Sequence, residues 1–188
     1  MTYDINKIEM IISDVDGVLT DGAIYKGTDG QEFKKFTVLD GVGVAMAREA
    51  NLKIALISGR YSPATEYRAK ELNIEDVYNG SLNKIPVYEE IKLKYSFDDS
   101  QIAYLGDDLI DIPVMKKVAL PIAVENASHM VKEISLTRGS HLSSAVLDLR
   151  IEEGLLVLFP SYLEHSVNPN LSEEERIVIS FNITLNYI

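Results

Sequence analysis

The chain has 188 residues, 18 basic and 29 acidic side chains, a net charge of −11 and no cysteine. At about 150 residues per domain this is one domain with a remainder, or two small ones, and without cysteine a disulfide scaffold, a thiol nucleophile, a cysteine-ligated zinc and an iron–sulfur cluster are excluded. The acidic balance repels phosphate backbones and anionic lipid, so nucleic-acid or membrane-surface binding is not the expected task.

No apolar run approaches the roughly 20 residues of a membrane span. Met1 to Lys7 lacks the basic-then-apolar layout of a signal peptide, so a cytoplasmic protein is expected. Short apolar runs alternate with longer amphipathic ones, the pattern of β-α-β units. The first run is Ile8 to Ile12, ending at Ser13-Asp14. Next, Ala23 to Lys26, Gly27-Thr28-Asp29-Gly30 and Glu32 to Val38 read as a β-hairpin, with Asp-Gly as the turn signal. It stands where an α/β enzyme places a helix, so it is an insertion, and insertions at this end of a strand serve a site or an interface. Helices are expected over Gly41–Ala50, over Pro63–Leu72 with Ser62 as N-cap, over Pro86–Tyr95 and over Ile112–Val118. The remaining strands are Lys53–Ile57, a short Asp76–Tyr78, Ile102–Leu105 and Leu120–Val124.

Three of these strands end in groups able to do chemistry, and open α/β sheets bind ligands at the carboxyl ends of their strands. The first offers Asp14-Val15-Asp16-Gly17, with Gly17 permitting the bend that lets both carboxylates face one cavity. The second offers Ser58-Gly59-Arg60, and the third Gly106-Asp107-Asp108 followed by Asp111. Lys84 follows Asn83 ahead of a helix. Oxygen ligands in a site without cysteine suit a hard cation such as Mg²⁺. One carboxylate can act as nucleophile while its neighbour works as acid and base, and a hydroxyl and an ammonium can stabilise a transferring phosphoryl group. Each piece also has a plain structural reading: Asp107-Asp108 as a helix cap, Ser58-Gly59 as a turn, Lys84 as a solvated lysine. Their joint placement at successive strand ends points to metal-assisted phosphoryl transfer.

Asp14-Val-Asp-Gly-Val-Leu-Thr-Asp-Gly22, the hairpin, Phe36 to Gly41, Ile57-Ser-Gly-Arg60, Asn83-Lys84 and Tyr104 to Met115 resemble the haloacid-dehalogenase-like phosphatase superfamily. They are most similar to its capless branch, which includes 3-deoxy-D-manno-octulosonate 8-phosphate phosphatase and relatives acting on nine-carbon sugar acids. The resemblance covers about residues 7–136. It implies a Rossmann-like α/β fold: a central parallel sheet flanked by helices, the hairpin after the first strand, and no large cap domain. It implies Asp14 as nucleophile, Asp16 as acid and base, and Ser58 and Lys84 on phosphoryl oxygens. Asp14, Asp107 and the backbone carbonyl of Asp16 would hold Mg²⁺, with Asp108 and Asp111 in support and orienting Lys84. Gly59, Arg60, Asp40 and Gly41 would bind substrate, with Arg60 facing a sugar carboxylate. The substrate would be a phosphorylated sugar acid, and the hairpins of four subunits would pack into a homotetramer. A broad small-molecule phosphatase, or a weakened module serving oligomerisation, are the alternatives.

Two departures from the family pattern stand out. Leu39 replaces a basic residue in Val38-Leu39-Asp40-Gly41, and a glycine-rich stretch before the last helix is reduced to Thr137-Arg138-Gly139-Ser140. Two domains are expected, 1–149 and a β-rich tail over 150–188. The tail resembles the C-terminal part of iron/2-oxoglutarate oxygenases, placing His165 at an iron-ligand position and Arg176 at the 2-oxoglutarate position. Such a site needs two histidines and a carboxylate. The chain has three histidines and no His-x-Asp or His-x-Glu, so an active oxygenase is not expected.

Overall fold

The structure, a computed structural model, describes residues 5–137. The tail over 150–188, with His165 and Arg176, and Gly139 and His141 lie outside the described residues. Strand β1 (Met10–Ser13) is followed by a hairpin of β2 (Tyr25–Lys26) and β3 (Glu32–Phe33), then α1 (Val38–Glu49), β4 (Lys53–Ser58), α2 (Pro63–Glu71), β5 (Asp76–Asn79) and α3 (Lys84–Tyr95). The chain continues through β6 (Ile102–Gly106), α4 (Ile112–Met115), β7 (Leu120–Ala123) and α5 (His129–Thr137). Between β1 and α1 the described chain carries only the short hairpin.

Five strands form one sheet in the order β5-β4-β1-β6-β7, all neighbours parallel. The centre is β1, with Met10 opposite Lys53 on one side and Ile102 on the other. Strands buried on both faces need apolar side chains throughout, which is why Met10-Ile-Ile, Ala55-Leu-Ile and Ile102-Ala-Tyr read as runs. One face packs Met10, Ile12, Ile57, Ile102 and Tyr104 against Tyr88 and Ile91 of α3, Val114 and Met115 of α4 and Val131 of α5. The other packs Val15 and Leu56 against Ala69 of α2, with Val44 of α1 partly covering them.

Two helices begin earlier than the sequence suggests. Helix α1 starts at Val38 because Thr37 caps it, its hydroxyl accepting from the Leu39 N–H at 3.2 Å. Helix α3 starts at Lys84 rather than Pro86. Helix α5 has no counterpart among the expected elements. None of the residues of α1 is buried; Leu39, Met46 and Val38 stand 67–80% exposed.

The chain runs outward from β1 through β4 to β5, then returns to build β6 and β7 on the other side. The strand order therefore reverses between β1 and β6, and sheets of this kind bind ligands in a crevice outside the carboxyl ends of the strands at that point.

Candidate active site

Asp14 follows β1 directly, and its N–H donates to the Leu105 carbonyl at 2.9 Å, extending the β1–β6 pairing by one residue. The chain then turns sharply. The Val15 carbonyl accepts from Val18, Leu19 and Thr20, and the Thr20 hydroxyl accepts from Gly17 and Gly22, each at 3.2 Å. Gly17 has φ +92°, and a Cβ there would stand 2.0 Å from Asp107 Oδ2. Glycine is thus required twice over, for the left-handed backbone and for the approach of the two acidic loops.

At the base of the crevice Lys84, 1% exposed, lies between two carboxylates. Its Nζ is 2.8 Å from Asp14 Oδ1 and 2.7 Å from Asp111 Oδ1. Asp111, fully buried, is the most heavily bonded acid. Its Oδ1 also accepts the Tyr104 hydroxyl at 2.6 Å, and its Oδ2 accepts the N–H groups of Asp107 and Asp108 at 3.0 and 3.1 Å. A buried charge persists only when matched in this way. Asp111 thereby shares the Lys84 ammonium with Asp14.

Asp108 does something else. It is exposed and caps the short helical turn after β6, accepting from the Leu109 N–H at 2.7 Å. This capping role is the plain structural reading of Asp108, while Lys84 bonds Asp14 and Asp111.

Among the described residues, Asp14, Asp107 and Asp111 each bring one carboxylate oxygen to within 4.8 Å of the others. Asp107 Oδ1 is buried with no hydrogen-bond partner. A metal ligand left without its metal has this signature, and a hard divalent cation fits the all-oxygen donors. Burial pushes Asp107 up to about 7, with Asp14, Asp111 and Asp108 adding repulsion. Burial likewise pushes Asp14 up to about 6 against the opposing pull of Lys84, while Asp111 reinforces the rise. Burial also drives the Tyr104 hydroxyl well above its ordinary value.

Asp16 lies apart from this cluster. Its Oδ1 is 2.6 Å from Lys34 Nζ, and its Oδ2 is 3.4 Å from the Ser58 hydroxyl. Ser58, fully buried at the end of β4, donates to the Arg60 carbonyl at 2.7 Å. The Arg60 guanidinium, expected to face a substrate carboxylate, is ion-paired with Glu32 of the hairpin. Gly59 serves packing, since a Cβ there would meet Ile110 Cδ1 at 2.7 Å. Asp40 and Gly41 fall within the first turn of α1, which takes in Asp40 ahead of the expected start at Gly41. Gly41 lets α1 approach Leu72 and Arg68, and Asp40 lines a cavity of about 240 Å³ with Thr20, Asp21, Lys35 and Phe36.

The sequence reading passed over three residues that build this site. Lys34 reaches Asp16 from the hairpin. Asn126 donates to the Gly17 carbonyl at 2.8 Å, while the nearby Ser128 N–H donates to the Asp107 carbonyl at 2.8 Å, so the loop after β7 latches both acidic turns. Tyr104 faces Asp111 from within β6. Only Tyr104 carried a signal, as a hydroxyl in an otherwise apolar strand.

A sequence profile for haloacid dehalogenase-like hydrolases matches residues 50–138, and one for 2OG-Fe(II) oxygenases matches residues 111–182. Where the two overlap, the described residues form α4, β7 and α5 of the parallel-sheet domain. The KdsC 3-deoxy-D-manno-octulosonate 8-phosphate phosphatase of Yersinia pestis is 40% identical over 141 residues, covering 71% of this chain and 75% of that protein. Its counterpart from Salmonella typhi is 44% identical over 121 residues, so the chain spans 64% of that relative's length and 64% of its own is matched. A solved phosphatase of the same name from Moraxella catarrhalis, in complex with a magnesium ion, a phosphate ion and KDO, superposes with a TM-score of 0.67 at 33% identity, covering 69% of this chain and 74% of that one. The Yersinia pestis enzyme structure gives a TM-score of 0.65 at 35% identity, covering 72% of this chain and 84% of that one. Fold, strand-end acids and sequence identity agree: this chain belongs to the haloacid dehalogenase-like hydrolases.

Proposed function

We propose that the chain is a Mg²⁺-dependent phosphomonoesterase acting on a phosphorylated sugar acid, with 3-deoxy-D-manno-octulosonate 8-phosphate as first candidate and a nine-carbon 9-phosphate as second. The observation that carries this reading is Asp14 at the tip of the central strand, held by Lys84 and clustered with Asp107 and Asp111. The named activity of the relatives supports it.

An Asp14 carboxylate oxygen attacks phosphorus, forming an aspartyl-phosphate as the bond to the sugar oxygen breaks. Asp16 delivers a proton to that leaving oxygen, then takes one from the water that attacks the aspartyl-phosphate. Lys84 and Ser58 would hold phosphoryl oxygens, and the bond from Lys84 to Asp14 supports its role in aligning the nucleophile. Asp14, Asp107 and the Asp16 carbonyl would hold Mg²⁺, which when bound offsets the negative charge of the phosphoryl group. Asp111 supports the set through Lys84 and the backbone of Asp107.

Arg60 would reach the sugar carboxylate by leaving or sharing Glu32. Leu39, 76% exposed where family members carry a basic residue, favours a second reading in which sugar-acid selectivity is relaxed. The apolar side chains exposed on α1 and on the hairpin, among them Ile24, Phe33, Val38 and Met46, support assembly into a homotetramer. No helix of the described residues is long and apolar enough to cross a membrane, and we place the activity in the cytoplasm, in a domain ending near residue 149.

Phosphate release from octulosonate 8-phosphate, a nine-carbon 9-phosphate and hexose phosphates tests the reading. The Asp14→Asn variant is expected to lose at least about 10³-fold in kcat. Full turnover by that variant would end the mechanism, and equal rates on all substrates would favour relaxed selectivity.

A further inference from the structure

We propose that Lys34 is a positioning residue that acts through Asp16, fixing the acid–base carboxylate in the orientation that transfers a proton to and from the reacting oxygen; this rests on the reading of Asp16 given above.

The hairpin has two faces. From β3 (Glu32–Phe33) into the extended residues Lys34 and Lys35, inward and outward side chains alternate. Phe33 is 56% exposed and the Lys35 side chain 74% exposed. The Lys34 side chain, by contrast, is only 3% exposed. Glu32 and Lys34 therefore turn toward the crevice, Glu32 to Arg60 and Lys34 to Asp16. Two residues on, Phe36 bridges to Thr20, which itself anchors the turn carrying Asp16. The backbone that bears Lys34 is thus tied to the backbone that bears Asp16.

A buried ammonium is tolerated only with partners. Lys34 has two: Asp16 Oδ1 at 2.6 Å and the hydroxyl of Thr65 at 3.2 Å, Thr65 being itself 1% exposed in the first turn of α2. Lys34 is therefore held from behind and presents its charge to one oxygen of Asp16. The other oxygen, Oδ2, lies toward Ser58, whose single proton is engaged by the Arg60 carbonyl. Pinning Oδ1 leaves Oδ2 as the oxygen that carries the transferred proton. In the first step that proton goes from Oδ2 to the sugar oxygen as the P–O bond breaks. In the second, a water proton returns to Oδ2 as the water oxygen bonds to phosphorus. Lys34 contacts neither Asp14 nor Asp107. The two buried lysines thus divide the work, with Lys84 serving the nucleophile and Lys34 the acid–base residue.

Proton transfer by a positioned carboxylate contributes about 10²–10⁴-fold, and misplacement forfeits a share of it. On the full chain with Mg²⁺ and octulosonate 8-phosphate, Lys34→Met is expected to lower kcat about 10- to 100-fold, with KM changed less than about threefold. The decisive measurement is the same substitution in an Asp16→Asn background. A residue that works through Asp16 has nothing left to position there, so the further loss is expected to stay under about twofold. Thr65→Val, which loosens Lys34 from behind, gives an independent route should Lys34→Met not fold. Its loss of about threefold should likewise vanish with Asp16→Asn. The Mg²⁺-dependent rise in Tm should be unchanged in both variants. Equal losses with and without Asp16, or no loss while Asp16→Asn is itself slow, would overturn the role of Lys34 alone. Wild-type turnover by Asp16→Asn would overturn the acid–base reading and this inference with it.

Discussion

Replacing Asp111 by Asn changes one oxygen to an amide nitrogen and removes one charge. Its cost follows from four contacts. Oδ1 accepts from Lys84 Nζ at 2.7 Å and Tyr104 OH at 2.6 Å, and Oδ2 accepts from two backbone N–H groups at 3.0 and 3.1 Å. An amide offers one accepting end and one donating end. If the donating end faces the backbone, it confronts two N–H donors that cannot turn. If it faces Lys84, the Tyr104 hydroxyl can rotate to accept, but the ammonium cannot. Either way at least one charge-assisted bond is lost and the Lys84 charge keeps Asp14 alone. Breaking one side of a buried ion pair costs about 3–5 kcal/mol. Tyr104→Phe removes one bond to the same carboxylate without disturbing its charge and should cost about 1.5–3 kcal/mol. Urea unfolding of the metal-free protein at neutral pH, followed by far-ultraviolet circular dichroism, should therefore rank Asp111→Asn below Tyr104→Phe. The corresponding fall in Tm is about 10–15 °C. An Asn variant within about 1 kcal/mol of wild type, or no weaker than Tyr104→Phe, would refute the view that Asp111 is the keystone of the cluster.

Burial lifts Asp14 to about 6 and Asp107 to about 7. Both values lie above the ordinary 3.8, so between roughly pH 4 and 7 the folded, metal-free protein binds more protons than the unfolded chain, and its stability falls as pH rises through that window. Cation binding must displace those protons, so the Tm gain from Mg²⁺ should be small at pH 5 and large at pH 8; calorimetric scans at both values check the sign, and an equal gain would contradict it. Gly17→Ala should sharply weaken Mg²⁺ binding, measured by isothermal titration, because its methyl group takes the space of Asp107 Oδ2, and a left-handed backbone adds about 1–2 kcal/mol of strain. Unchanged Mg²⁺ affinity would mean the two acidic turns are not closely matched.

The parts of this site carried by local chemistry could be read from the sequence. Asp14-x-Asp16-Gly17, Ser58-Gly59 and Gly106-Asp107 each follow an apolar run, and strand ends gather at one edge of a parallel sheet. Ser62-Pro63 announced α2, and Asp29-Gly30 announced the hairpin turn. What escaped was long-range pairing. Lys34 meets a carboxylate eighteen positions earlier, and nothing in Phe33-Lys34-Lys35 says which lysine turns inward. Asn126 reaches Gly17 across the whole domain. The start of α1 was missed because Val38 looks like the end of a strand, whereas the Thr37 cap and the hairpin's closure at Phe36 decide otherwise. Lys84 looked like a loop residue because Pro86 suggested a helix start, but proline is equally at home within a first turn.

The central place of β1 also dictates an order of assembly. Its two neighbours are encoded at residues 53–58 and 102–106. While the chain is being synthesised, both edges of the first strand therefore wait for partners, and the second partner emerges only after most of the domain has been made. At about 5–20 residues per second, that delay is on the order of 5–20 s. Throughout it, Met10 to Ser13 is a largely apolar segment with open hydrogen-bonding edges, exposed to wrong pairing. A nascent chain halted at residue 100 would already possess Asp14 and Lys84 but neither Asp107 nor Asp111. The acidic cluster can therefore close only after β6 has joined β1.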